Sequence, residues 1–150
     1  MSAPQSAVEG VFRLARLWER LFDQHFQPDG FGVKSFLLMA AMDHKELEAP
    51  TLGEMASILA MSHQNVRKLA NRLEQSGYLL LQKDPHDRRI LRIHRTKKYH
   101  VYWTQQREKD AQAFQALFTK LNPRELRHFA DLAQHLALRA EEELMKETKQ

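Results

Sequence analysis

A chain of 150 residues with 43% hydrophobic and 28% charged content has the balance of a globular protein, large enough for one core or two small lobes. It holds no apolar run near 18 residues, no leader-like pattern in MSAPQSAVEG and no cysteine, which excludes a transmembrane helix, a visible secretory signal, a disulfide and a cysteine-based zinc site. A cytoplasmic location fits all three. The net charge of +4 is unevenly placed: residues 63–109 hold 12 Lys and Arg against 4 Asp and Glu, whereas residues 1–62 hold 5 against 8. The middle third therefore carries the footprint expected for binding phosphates.

Residues 6–26 show a helical pattern. Val8, Val11, Phe12, Ala15, Trp18, Phe22 and Phe26 form one stripe, and Leu14, Leu17 and Leu21 add a second. A helix apolar over so wide an arc buries more than one side. Pro28, Gly30 and Gly32 mark a loop, and residues 35–44 (SFLLMAAMDH) read as a buried helix. Thr51 and Glu54 then have the spacing of a capping box, in which each side chain takes the other's backbone N–H, so a short helix starts there and runs to about Leu59. Ala60, Met61 and Ser62 form a tight turn without the usual glycine.

The next helix, SHQNVRKLANRLEQSG, carries Val66, Leu69, Ala70 and Leu73 at i, i+3, i+4 and i+7, with Ser62 as its N-cap and Gly77 as its stop. Its opposite face is centred on Gln64, Lys68, Asn71 and Gln75, flanked by Arg67 and Arg72. Glu74 is the helix's only acid, and it lies toward the buried edge. A solvated helix usually mixes both signs of charge; this face is suited to a negative partner. Two short helices joined by about three residues make a helix-turn-helix.

After Gly77 the period changes. Residues 78–83 (YLLLQK) and 90–95 (ILRIHR) are rich in strand formers and flank DPHDRR, which predicts a β-hairpin with a loop of about six residues. A hairpin placed directly after a helix-turn-helix is a wing. Its tip carries Arg88 and Arg89, and an arginine on an extended loop can enter a narrow minor groove. The neighbouring carboxylate of Asp87 could hold the guanidinium in one orientation. Two long helices close the chain, over residues 96–120 and 123–146, the second started by Asn122, Pro123 and Glu125. Leu126, Phe129, Ala130, Ala133, Leu136, Ala137, Ala140 and Leu144 make its stripe. At 1.5 Å per residue each helix is roughly 35 Å long, more than a small winged lobe can cover, so a homodimer built from both chain ends is inferred.

The stretch TLGEMASILAMSHQNVRKLANRLEQSGYLLLQKDPHDRRILRIHRT resembles the MarR family of bacterial transcriptional regulators, most closely at LGEMASIL, RLEQSGYL and DPHDRR. The specific likeness covers about a third of the chain; the helical ends match in arrangement more than in sequence. The resemblance implies an obligate dimer whose N- and C-terminal helices interlock. Recognition helices would occupy successive major grooves, and wings would reach the flanking minor grooves. By position it makes Arg89 the wing arginine and Asp87 its ion-pair partner, with His63, Gln64, Arg67 and Lys68 presented from the recognition helix. It also makes a small-molecule effector an expected partner. Two departures stand out. Members often read leucine-threonine and then glycine after the wing, where this chain has Arg95-Thr96 and then Tyr99, so local packing must differ. The family's thiol-based peroxide sensors need a cysteine, and that branch is excluded.

The expected fold is thus mainly α with a small β-hairpin wing. It would be a single domain over residues 1–150, with a winged helix-turn-helix lobe over 33–95 and a helical dimerisation region over 5–27 and 96–147. The expected function is sequence-specific recognition of double-stranded DNA by a homodimeric transcriptional repressor. The expected contact set is Ser62, His63, Gln64, Asn65, Arg67, Lys68, Asn71, Arg72, Asp87, Arg88 and Arg89. Amides can read adenine, and Arg or Lys can read guanine, but spacing does not say which residues touch bases rather than phosphates. Arg72, Lys83, Lys97 and Lys98 suit phosphates or solvent. The alternative is a winged-helix module for protein contacts in a larger assembly, its basic face meeting an acidic partner. RNA binding is disfavoured by the lack of an RNP-type aromatic motif.

No cofactor, metal site or enzymatic activity is expected. There is no phosphate-cradling glycine loop and no nucleophile motif. The eight histidines include no H-x-x-x-H pair, and His128 and His135, seven apart, lack a third ligand. His25, Phe26, Phe31, Phe36 and His44 fall by chain order near the junction where an effector would bind, but core packing is their simpler role.

Overall fold

The computed structural model describes residues 1–44 and 47–148. Its elements follow in the order α1 (Ala3–Phe26), α2 (Val33–His44), α3 (Leu52–Leu59), α4 (His63–Gln75), β1 (Leu79–Lys83), β2 (Leu91–Arg95), α5 (Lys97–Ala116) and α6 (Pro123–Glu147), with one 3-10 turn at Gln27–Asp29. The chain divides into two compact units, Met1–Gln105 and Gln106–Gln150.

In the first unit, α1 begins three residues before its apolar pattern. Ser2 and Gln5 form a reciprocal capping box that satisfies backbone donors at the helix start. Asp23, near the other end of α1, starts the next helix: its Oδ1 accepts the Val33 N–H at 2.8 Å. A Cβ on Gly32 would lie 2.7 Å from that oxygen, so only glycine lets the carboxylate approach. This remote cap explains why α2 starts at Val33 rather than Ser35.

The core joins α1, α2, the hairpin and the start of α5 through aromatic rings. Phe26 stacks on Phe36 at 4.4 Å and on Phe31 at 5.5 Å, and Phe31 meets Tyr78 and Tyr102 edge-on. Phe26, Phe31 and Phe36 are buried core residues, whereas His25 is half-buried and His44 exposed.

The non-family residues after the wing have a shared task. Arg95 Nη2 donates to the Met42 carbonyl at 2.7 Å, and its guanidinium lies 5.5 Å from the centre of the Tyr99 ring. The Tyr99 hydroxyl donates to the Met39 carbonyl at 2.9 Å, and its ring is fully buried. Arg95 thus adds a cationic donor to the Met42 carbonyl at the end of α2, which also accepts the Leu47 N–H, and Tyr99 adds a second donor to the Met39 carbonyl one turn earlier. Thr96 starts α5 by accepting the Tyr99 N–H.

In the second unit, α5 gives way at Ala116 to turns closed by Leu117, Phe118 and Leu121 N–H groups bonding three residues back. The helix therefore ends short of Lys120. Asn122 caps α6 and Pro123 takes its first position, as expected, and Glu125 closes a reciprocal capping box with Asn122. No described residue of α6 is buried; Leu136 and Leu144 are 63% and 64% exposed. On α1, in the first unit, Val8, Val11 and Phe12 are more than half exposed too, although Phe22 and Phe26 are buried. No described helix is long and apolar enough to cross a membrane.

Candidate nucleic-acid interface

Helix α3 has the reciprocal Thr51–Glu54 box and ends on Ala60, which takes the left-handed conformation at φ 50°. Alanine thus does what glycine usually does in such a turn, at a steric cost of roughly 1–2 kcal/mol. The chain reverses, Ser62 accepts the Asn65 N–H at 3.2 Å, and α4 begins. Val66, Leu69, Ala70 and Leu73 are buried, the stripe expected from spacing. Burying each of the three larger ones stabilises the helix on the lobe by roughly 1.5–3 kcal/mol.

That packing turns the other face outward. His63, Gln64, Asn65, Arg67, Lys68, Asn71 and Arg72 are all exposed. Arg67, Lys68 and Arg72 make no ion pair with a described residue, so their charge is uncompensated at the surface. Glu74, the one acid of α4, faces inward instead. Its Oε1 accepts the Leu81 N–H of β1 at 2.7 Å, which ties the helix to the wing. At the far end Gly77 adopts φ 82°, and Lys98 donates to the Ser76 carbonyl at 2.7 Å while lying 4.4 Å over the Tyr78 ring. All four of Arg72, Lys83, Lys97 and Lys98 are exposed, but Lys98 is engaged in closing the C-terminus of α4.

The hairpin pairs Leu79 with Arg95, Leu81 with Ile93 and Lys83 with Leu91. Ile93 N–H bonds the Pro50 carbonyl at 2.9 Å, and Thr51 bridges to Arg92, so β2 is pinned to the segment leading into α3. The loop of residues 84–90 is built around two aspartates. Buried Asp84 accepts the N–H groups of His86 at 2.7 Å and Asp87 at 2.9 Å through Oδ1, while Oδ2 pairs with Arg92 Nε. Arg92, with those backbone donors, holds the Asp84 carboxyl down to about 2. Asp87 grips Arg89 with both oxygens, Nε to Oδ1 and Nη2 to Oδ2, each at 3.0 Å. That grip lowers the Asp87 carboxyl below its ordinary value and raises the Arg89 guanidinium. Even so paired, the Arg89 side chain is 90% exposed, a fixed cation aimed at solvent. Arg88 beside it is exposed and makes no hydrogen bond with a described residue.

A cleft of about 230 Å3 lies between these parts. Thr51, Leu52 and Gly53 at the start of α3, His63 and Arg67 at the start of α4, and Arg89, Ile90 and Leu91 of the wing line it. Residues 26 positions apart in the chain thus share one basic recess. Asp84 and Arg92 are supporting residues that spacing did not single out, and Glu74, which spacing placed toward the buried edge, gains a partner in β1 that spacing did not give. The signal for Asp84 was present in DPHD, since an aspartate heading a turn often accepts the N–H groups two and three residues on. Nothing local marks Arg92 or Glu74 as partners of distant groups. Among the described residues no cluster of three or more His, Asp or Glu side chains is placed to hold a metal ion.

Residues 32–90 match the model of the MarR family. No curated protein sequence matches the chain. Among solved structures, a MarR protein from Peptoclostridium difficile is similar at TM-score 0.81 and 18% identity, covering 93% of this chain and 90% of that one. A MarR family regulator from Streptomyces coelicolor, solved in complex with DNA, is similar at TM-score 0.78 and 20% identity, covering 91% and 88%. BpsR of Bordetella bronchiseptica, whose DNA binding is regulated by 6-hydroxynicotinic acid, is similar at TM-score 0.74 and 22% identity, covering 87% and 98%. At these identities the likeness to the solved structures is one of fold.

Proposed function

The chain is a winged-helix protein of the MarR family, and from that premise we propose that it is a homodimeric repressor that binds a pseudo-palindromic site in double-stranded DNA. The basic recess carries this reading: it joins the first turn of α4 to the wing arginine, and no described acid shares its lining. A duplex set against it would place α4 in a major groove and Arg89 at the neighbouring minor groove, with a backbone phosphate between them. Gln64, Asn65, Arg67 and Lys68 then face base edges, and Arg72 and Arg88 face phosphates. Asp87 acts by orienting Arg89, and Ser62 acts first as the cap that starts the helix.

The homodimer is supported by the exposed leucines of α6 and the exposed apolar residues of α1, since faces of this kind mark association surfaces. Two α4 helices one DNA turn apart require half-sites about 10 bp apart in a site of roughly 20 bp. A dimer seated over such a length excludes polymerase from an overlapping promoter, which is the physical basis for repression in the cytoplasm. The fold likeness to BpsR supports a small-molecule effector.

The test is a salt titration on duplex fragments selected from the source genome, with sedimentation of the free protein. A steep fall of log Kobs with log salt, a dimer in solution and reduced run-off transcription support the reading. Indifference to duplex DNA in dilute salt, with capture of an acidic protein instead, would transfer the basic face to the protein-contact alternative.

A further inference from the structure

Arg89 is held by Asp87, but Asp87 is itself held. Its backbone N–H is fixed by Asp84 Oδ1 at 2.9 Å, and the neighbouring His86 N–H by the same oxygen at 2.7 Å. The other oxygen of Asp84 takes the Nε of Arg92. Arg92 then reaches a third place: its Nη1 donates to the Ala49 carbonyl at 3.0 Å, in the segment that leads into α3. The guanidinium fork suits this, because one planar group presents fixed donors in two directions. A single line of hydrogen bonds therefore runs from the α3 approach, through Arg92, Asp84 and Asp87, to the exposed guanidinium of Arg89.

We propose that Arg92 is a positioning residue for DNA recognition, which fixes the wing arginine relative to the helix-turn-helix through Asp84 and Asp87. The inference rests on the reading of Arg89 as a DNA contact. The Arg92 side chain is 34% exposed against 90% for Arg89, and its Nε and Nη1 donors point into the lobe, so its effect on DNA is indirect. Apart from the bond to Arg92, the hydrogen bonds given for loop residues 84–90 are internal to the loop, among them Asp84 N–H to Ile90, Ile90 N–H to Asp87 and the two N–H groups on Asp84 Oδ1, so the seven residues could swing as a unit. The Arg92 fork removes that freedom before DNA arrives, and the ordering cost is then not charged to binding.

The experiment compares the full-length dimer with Arg89→Ala, Arg92→Gln, the double variant and Asp84→Asn on one operator duplex across salt, with thermal melts of each. Arg89→Ala and Arg92→Gln are each expected to weaken binding roughly tenfold or more. The double variant should be no weaker than the stronger single loss, because both remove one device. Asp84→Asn is the sharper arm. It deletes a negative charge from a DNA-facing loop and keeps the Oδ1 acceptor, so charge alone would tighten binding, whereas loss of the grip on Arg92 should weaken it several-fold. Since the substitution is isosteric, it carries the test if Arg92→Gln melts below the assay temperature. Losses that multiply in the double variant, or Asp84→Asn binding as tightly as the parent, would overturn the positioning role while leaving the wing as a contact. A silent Arg89→Ala would instead remove the wing reading on which it rests.

Discussion

Replacing Arg88 and Arg89 singly by alanine separates two ways in which a wing cation can act. Both are exposed and adjacent, yet Arg89 is clamped by both oxygens of Asp87 and Arg88 has no described partner. In the proposed dimer each substitution deletes two cations. If Arg88 neutralises one phosphate per protomer, the slope of log Kobs against log salt becomes shallower by about 1.8, at about 0.9 per phosphate. With the two lines meeting near 1 M salt, this amounts to a loss of about 30-fold at 0.15 M. The loss should be the same on operator and on random duplex, because a phosphate contact carries no sequence information. Arg89→Ala should instead cost more on the operator than on random DNA, because a guanidinium held in one orientation reads groove width. Fluorescence anisotropy at four salt concentrations on both duplexes measures all four slopes. Neither variant should change the melting temperature. Equal losses on both duplexes for Arg89→Ala would show that the Asp87 clamp confers no readout, and the geometric argument for the wing would fail.

Ala60→Gly should stabilise the fold by about 0.5–1 kcal/mol, since relief of left-handed strain exceeds the added entropy of the unfolded chain; an urea midpoint that falls would contradict this. Asp84 has a folded-state pKa near 2, below its ordinary value, so its contribution to stability is complete above about pH 4 and lost as pH falls through 2. The stability difference between the parent and Asp84→Asn should therefore be flat from pH 5 to 7 and shrink below pH 4, as read by denaturant melts at each pH. Leu136→Glu, at a 63%-exposed position of α6, should convert the proposed dimer to monomer in sedimentation while helical circular dichroism persists. A dimer of unchanged affinity would exclude that part of α6 from the interface.

Much of the secondary structure was legible because its determinants are local. The Thr51–Glu54 and Asn122–Glu125 boxes announce α3 and α6, and the four-residue stripe of α4 names the buried face and hence the exposed one. The Ser2–Gln5 box was equally local but lay outside the apolar pattern, so α1 begins earlier than its hydrophobic period suggests. The start of α2 was not legible, since its cap comes from Asp23 on the preceding helix. The place of Arg95 and Tyr99 was visible only as a departure from the family pattern. Their common partner, the last two turns of α2, is reached only by contacts across more than 50 residues.

The acids inside the basic segment clarify how such an interface stays cation-rich while remaining ordered. Residues 63–109 contain four acids, Glu74, Asp84, Asp87 and Glu108. Three of them are committed to internal donors: Glu74 to the Leu81 N–H, Asp84 to Arg92 and two loop N–H groups, Asp87 to Arg89. A carboxylate so engaged has little capacity left to attract a competing surface lysine, and each one orders an element that carries a cation outward. A count of charges by segment treats these acids as dilution of the positive face. Geometry makes them its framework, and it follows that neutralising any of the three should weaken DNA binding even though net positive charge rises.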